Sequence, residues 1–261
     1  MNTSLSLRIP AALLVTLAAG AAGAATLPSF TLNPSAIPGV SSPVFTANNL
    51  LVSDYSSITF NGNGTFTDAG YLSISSAQTA NSTFTPAGLN SSYGFYIQFS
   101  GTGTTPTGDP TTDITKASFS TLSYTIYGYS GTATFDFSGS TATTTAANPV
   151  ALATGNLISG SAVTIPNGDG TFTPSGSAKL TLSVLPAGTA FFQSPTDFYN
   201  LASTAFSNTS SQVETFAGGF LIRQGGGSVN FATAVPEPGT YAMLAAGLGV
   251  IGWVARRRKT H

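Results

Sequence analysis

The chain is 261 residues long, with a net charge of −1, 7% charged residues, no cysteine and one histidine, His261. Lack of cysteine rules out disulfides, thiol nucleophiles and thiolate metal sites, and a lone histidine at the last position leaves the body of the chain without a Ser-His triad or an imidazole zinc site. Between residues 26 and 234 only Lys116, Lys179 and Arg223 face seven aspartates and Glu214, a net of −5 that argues against a nucleic-acid partner held through its phosphates.

At the start, Arg8 precedes a mostly apolar run over residues 9–19, and small residues follow at 20–25. That order predicts a secretory signal peptide over residues 1–25, read by the Sec translocase and cut by signal peptidase. The stretch 26–234 then forms an exported, β-rich domain. Within it Phe95, Ile97 and Phe99 alternate with polar residues, as do Leu122, Tyr124 and Ile126, and Leu180, Leu182 and Val184. A period of two marks half-buried strands, and shorter candidates stand at 71–75, 132–137, 212–216 and 228–231. Strands this frequent, separated by Gly, Pro and Asn, predict an all-β, antiparallel β-sandwich-like fold.

An internal echo runs through the domain: Asn61-Gly62-Asn63-Gly64-Thr65-Phe66-Thr67 returns as Asn167-Gly168-Asp169-Gly170-Thr171-Phe172-Thr173. Each copy predicts a hairpin turn whose Asn-Gly supplies positive φ, followed by a Thr-Phe-Thr strand. A calcium loop is the alternative, although the copies offer one acid each, Asp68 and Asp169. Phe198, Leu201, Ala202, Ala205 and Phe206 recur at helical spacing after Ser194-Pro195, which predicts one short helix. Residues 139–149 and 106–112 read as loops, and Gly225-Gly226-Gly227 as a flexible turn. Tyr93, Tyr96, Tyr127 and Tyr129 could stack on sugar rings, but core or strand-surface packing is the commoner use of such residues. The scattered aspartates read as turn residues or solvated charges, and nothing in the sequence calls for a metal or cofactor.

The end of the chain has three parts: Val235-Pro236-Glu237-Pro238, an uncharged, glycine-dotted stretch over 241–255, and Arg256-Arg257-Arg258-Lys259. The two prolines keep Glu237 in extended backbone that joins neither helix nor sheet. A helix over 241–255 would span a little over about 20 Å, short of the roughly 30 Å hydrocarbon core, so it is a marginal anchor. The cations after it resist translocation and hold the extreme C-terminus in the cytoplasm. In this order the three parts resemble the PEP-CTERM sorting signal of Gram-negative bacteria. The resemblance implies a sorting segment over 235–261, with Pro236, Glu237, Pro238, Arg256, Arg257 and Arg258 as its motif. It further implies recognition by an exosortase, cleavage near the tripeptide, a transient membrane anchor and an extracellular or cell-surface destination.

Segments 45–55 and 218–231 are similar to the flocculation-associated PEP-CTERM proteins, which implies a part in cell aggregation. The expected function is therefore a non-enzymatic protein of the extracellular matrix or cell surface, associated with exopolysaccharide in a floc or biofilm. The alternatives are a secreted carbohydrate-binding module and an Asp-dependent carbohydrate-active enzyme, since a glycosidase needs two carboxyl groups.

Overall fold

The computed structural model describes residues 27–233 apart from 81, 106 and 107; the expected signal peptide and sorting segment lie outside the described residues. Eight long strands carry the fold: β1 (Asn49–Phe60), β2 (Thr65–Gln78), β3 (Tyr93–Thr104), β4 (Thr115–Ser130), β5 (Val150–Pro166), β6 (Phe172–Thr181), β7 (Leu201–Ser207) and β8 (Gly219–Ala232). Each runs antiparallel to the one before it. The last then pairs with the first, from Gly219↔Thr59 to Val229↔Leu50, and the meander closes into an up-and-down barrel.

The all-β, antiparallel expectation holds, but a closed barrel replaces the sandwich. Strand frequency and turn chemistry are common to both architectures. What separates them is whether the first and last strands meet, a contact between residues far apart in the chain that leaves no local pattern. Closure is helped by the register shifts in β1/β2, β3/β4 and β8/β1, each an extra residue that bends a strand. A close approach also contributes: a Cβ on Gly155 of β5 would lie 1.9 Å from the Thr181 carbonyl oxygen, so only glycine lets these backbones meet.

Alternation assigns the faces. Leu50, Val52, Ile58, Leu72, Ile74, Phe95, Ile97, Leu122, Ile126, Val229 and Phe231 are buried inside. Thr102, Thr121, Ser123, Ser177 and Lys179, at the opposite parity, are exposed. This is the reverse of a membrane-spanning barrel, whose apolar residues face out. Among the described residues no helix is long and apolar enough to cross a membrane.

One end of the barrel is plugged. A three-stranded sheet of Phe30–Leu32, Phe45–Ala47 and Phe192–Ser194 lies there. The Phe231 ring meets Phe30 at 5.0 Å and Phe198 at 5.4 Å, and Phe191 meets Phe95 at 5.5 Å. The chain enters the described region at this end, where the Tyr199 hydroxyl donates to the Ser29 carbonyl at 2.8 Å. It also leaves here, one residue after β8.

Three local expectations change. The helix expected around residues 198–206 is strand β7. Positions 198, 202 and 206 are four apart and satisfy a period of two as well as 3.6. In β7 Ala202 and Thr204 face the lumen with Phe206, and ladders to β6 and β8 satisfy the backbone on both edges. Gly225-Gly226-Gly227 is not a turn but part of β8, paired with Asp54, Ser53 and Val52 of β1. The loop expected at 139–149 contains a strand, Thr141–Thr144, which pairs with Phe135–Ser138 in a hairpin laid against the outside of the barrel.

Candidate functional site

The echoed turns are hairpins joining β1 to β2 and β5 to β6. In the first, Asn63 Oδ1 accepts from the Thr65 amide at 3.2 Å and its hydroxyl at 2.6 Å. In the second, Asp169 Oδ1 accepts from the Thr171 amide at 2.9 Å and its hydroxyl at 2.5 Å. Gly62, Gly64, Gly168 and Gly170 all have positive φ. These bonds hold the Asp169 carboxyl below its ordinary range. The oxygens that a calcium loop would use thus close the turns, and Asp68 turns the other way, into the barrel.

The tyrosines lie in packed surroundings. Tyr93 and Tyr129 are fully buried and Tyr96 is buried, its ring 5.3 Å from Tyr127. Outside the barrel Tyr55, Tyr71 and Tyr96 form a row over which the 135–144 hairpin lays Phe135, at 5.8, 5.8 and 5.4 Å. Burial raises the Tyr55 and Tyr71 phenols and pushes Tyr96 up to about 12. The hairpin is clasped by Arg223, which binds Asp136 at 2.8 Å, pairs with Glu214, and lies 4.9 Å from the Phe137 ring centre.

The barrel interior holds what the sequence reading missed. A cavity of about 120 Å³ opens between the plug and the hairpin end, and Asp54, Ser56, Asp68, Thr204 and Asn208 line it among apolar side chains. Asp54 is 3% exposed and its Oδ1 has no hydrogen-bond partner. Asp68 as a residue keeps partial solvent contact, but its Oδ1 is likewise enclosed and unpartnered, as is the Thr204 hydroxyl. Burial pushes the Asp54 carboxyl up to about 7, with the Ser56 hydroxyl offsetting part of the rise. Asp68 is raised well above the usual carboxylate range, first by burial and then by the nearby Asp54 charge. Asn208 is satisfied, its Oδ1 accepting from the Gly226 amide at 3.1 Å.

Two aspartates expected as turn residues or solvated charges are therefore interior groups. Parity was the available signal: Asp54 shares its face with Leu50, Val52 and Ile58, and Asp68 shares its face with Phe66 and Leu72. At the hairpin end, above these acids, phenylalanines pack into a second apolar cluster; Phe66 meets Phe119 at 5.4 Å and Phe172 meets Phe220 at 5.1 Å.

The sorting residues Pro236, Glu237, Pro238, Arg256, Arg257 and Arg258 lie outside the described residues. The fold itself defines a closed, water-facing β-barrel whose mainly apolar lumen holds two acids. Residues 234–259 match the family model of the PEP-CTERM protein-sorting motif, so the chain carries this sorting signal directly after the barrel. That motif implies an exosortase as sorting partner and a transient membrane anchor before the cell surface or the medium. No curated protein and no solved structure matches the chain.

Proposed function

We propose that the protein is a non-enzymatic component of the extracellular matrix or cell surface that associates with secreted polysaccharide and promotes cell aggregation. The observation that carries this reading is the sorting motif at 234–259, attached to a barrel whose outward face is rich in serine and threonine hydroxyls. Hydroxyls spread over a sheet surface suit many weak hydrogen bonds to a hydrated polymer better than one tight charged contact. In this role Pro236, Glu237 and Pro238 present the cleavage region to the exosortase, and Arg256, Arg257 and Arg258 stop transfer through the membrane.

The non-catalytic reading is supported by the surroundings of the two acids. Asp54 and Asp68 lie in a small cavity with mainly apolar walls, where a sugar ring would leave most of its hydroxyls without partners. Two experiments test the proposal. Glu237→Ala should leave full-length protein in the membrane fraction; unchanged release would overturn the sorting role. Deleting the gene should reduce cell aggregates and retained polysaccharide, with rescue by the wild-type chain. Intact aggregation, or release of reducing sugar from exopolysaccharide by the purified protein, would overturn the matrix reading.

A further inference from the structure

The lumen contains acids but no cation. Lys116 and Lys179 are exposed, and Arg223 is held outside the barrel by Asp136 and Glu214. These three are the only lysines and arginines among the described residues. Buried carboxyl groups are ordinarily paired, and those left unpaired cost several kcal/mol or keep their protons. Here two acids and a threonine hydroxyl turn unpartnered oxygens toward one cavity. Small side chains at Ala162, Gly176, Ala178 and Ala202 leave that space open, where larger ones would have filled it and removed any reason to retain the acids.

We propose that the barrel lumen is a binding site for a small apolar molecule bearing an ammonium group, its nitrogen facing Asp54 and Asp68 and its carbon body among Leu72, Phe99, Leu122 and Phe206. An ammonium offers three donors and a positive charge to oxygens that otherwise have neither. An alcohol offers one donor and leaves the carboxylate charge uncompensated. A calcium ion needs roughly six to eight oxygen ligands, and the walls around these acids are mostly carbon. The volume sets the size: about 120 Å³ compares with a cavity of roughly 150 Å³ that accepts benzene. The occupant is therefore an amine no bulkier than benzene, with a short carbon chain. It enters by the hairpin end, where Phe66, Phe172 and Phe220, at 3–5% exposure, swing aside to admit it, because the three-stranded sheet covers the opposite end.

The test is calorimetry on the purified full-length chain with n-butylamine, and with n-pentane and 1-butanol as isosteres lacking the charge. Asp54, Asp68 and Tyr124 are the titratable groups lining the lumen, and burial raises the Tyr124 phenol far from neutrality. n-Butylamine stays protonated near neutral pH, so its binding should strengthen as the acids ionise. The expected result is one-to-one binding at about pH 8, weaker by about tenfold or more at about pH 5 and in the Asp54→Asn and Asp68→Asn variants. n-Pentane should bind more weakly than n-butylamine and be indifferent to both pH and substitution. Equal affinity for n-pentane and n-butylamine, n-butylamine binding unchanged in both variants, calcium binding without amine binding, or no binding at all would each overturn the proposal. This experiment is independent of cell aggregation, so its failure leaves the matrix reading standing.

Discussion

Asp54 should give the barrel an inverted pH dependence. A carboxyl whose folded value is raised from 3.8 to about 7 binds its proton more tightly in the native state than in the unfolded one. Between those values the native state holds more protons, so unfolding free energy falls as pH rises. The stability is fully present below about pH 4 and lost by the time pH passes about 7, the reverse of ordinary acid denaturation. The rise corresponds to about 4 kcal/mol, an order-of-magnitude figure for a group 3% exposed. At about 2–4 °C per kcal/mol for a domain of this size, Tm should drop by roughly 8–16 °C. Asp68, shifted the same way, adds to the trend.

Few other groups obscure this window. The one histidine is His261, and Asp109 and Asp169 are shifted downward, so their contributions are lost only in stronger acid. The assay is urea unfolding at a series of pH values from about 5 to about 8 for the wild type, Asp54→Asn and the double variant with Asp68→Asn. The wild type should lose stability across the series, Asp54→Asn should flatten the slope, and the double variant should flatten it further. A wild-type stability that is constant or rising over this range, or an Asp54→Asn slope equal to the wild type's, would refute the reasoning.

Two further outcomes test how the barrel is built. Gly155→Ala should cost about 1–3 kcal/mol or more, because its Cβ would meet both the Thr181 carbonyl and the Tyr124 ring; a thermal melt matching wild type would show that β5 and β6 do not approach as described. Phe135→Ala should cost only about 1 kcal/mol, because the ring is half-buried, yet it should uncover Tyr55 and Tyr71. Alkaline titration followed by tyrosine absorbance should then show those phenols moving down toward 10.0, and an unchanged titration would mean the hairpin does not cover them.

Much of the strand content was legible because alternation is local. Leu122, Tyr124 and Ile126 announce β4, and the repeated Asn-Gly turns announce two of the hairpins. The barrel was not legible, since closure rests on Gly219–Val229 finding Leu50–Thr59 across most of the chain. β7 was misread because residues spaced by four fit a helix and a strand alike, and only the neighbouring ladders decide. The acidic pair was hidden for another reason. Composition treats an aspartate as surface, whereas Asp54 becomes interior once its parity with Val52 and Ile58 fixes the register. The sorting motif was fully legible, since it is a linear signal read by an enzyme and not by the fold.

Closure and export are connected. A cysteine-free chain outside the cell has no covalent staple, and an open sheet there would present unpaired edges to every neighbouring copy. Joining β8 to β1 removes those edges, and plugging one end with phenylalanines supplies apolar burial in place of disulfides. The same closure sets where the chain leaves the barrel. β8 ends at the plugged end, and Glu237 follows Ala232 by five residues, a reach of at most about 18 Å. In the proposed sorting, a tail held in the membrane would keep the segment around Glu237 within that reach of the plug, with the phenylalanine cluster of the hairpin end on the side of the barrel away from it.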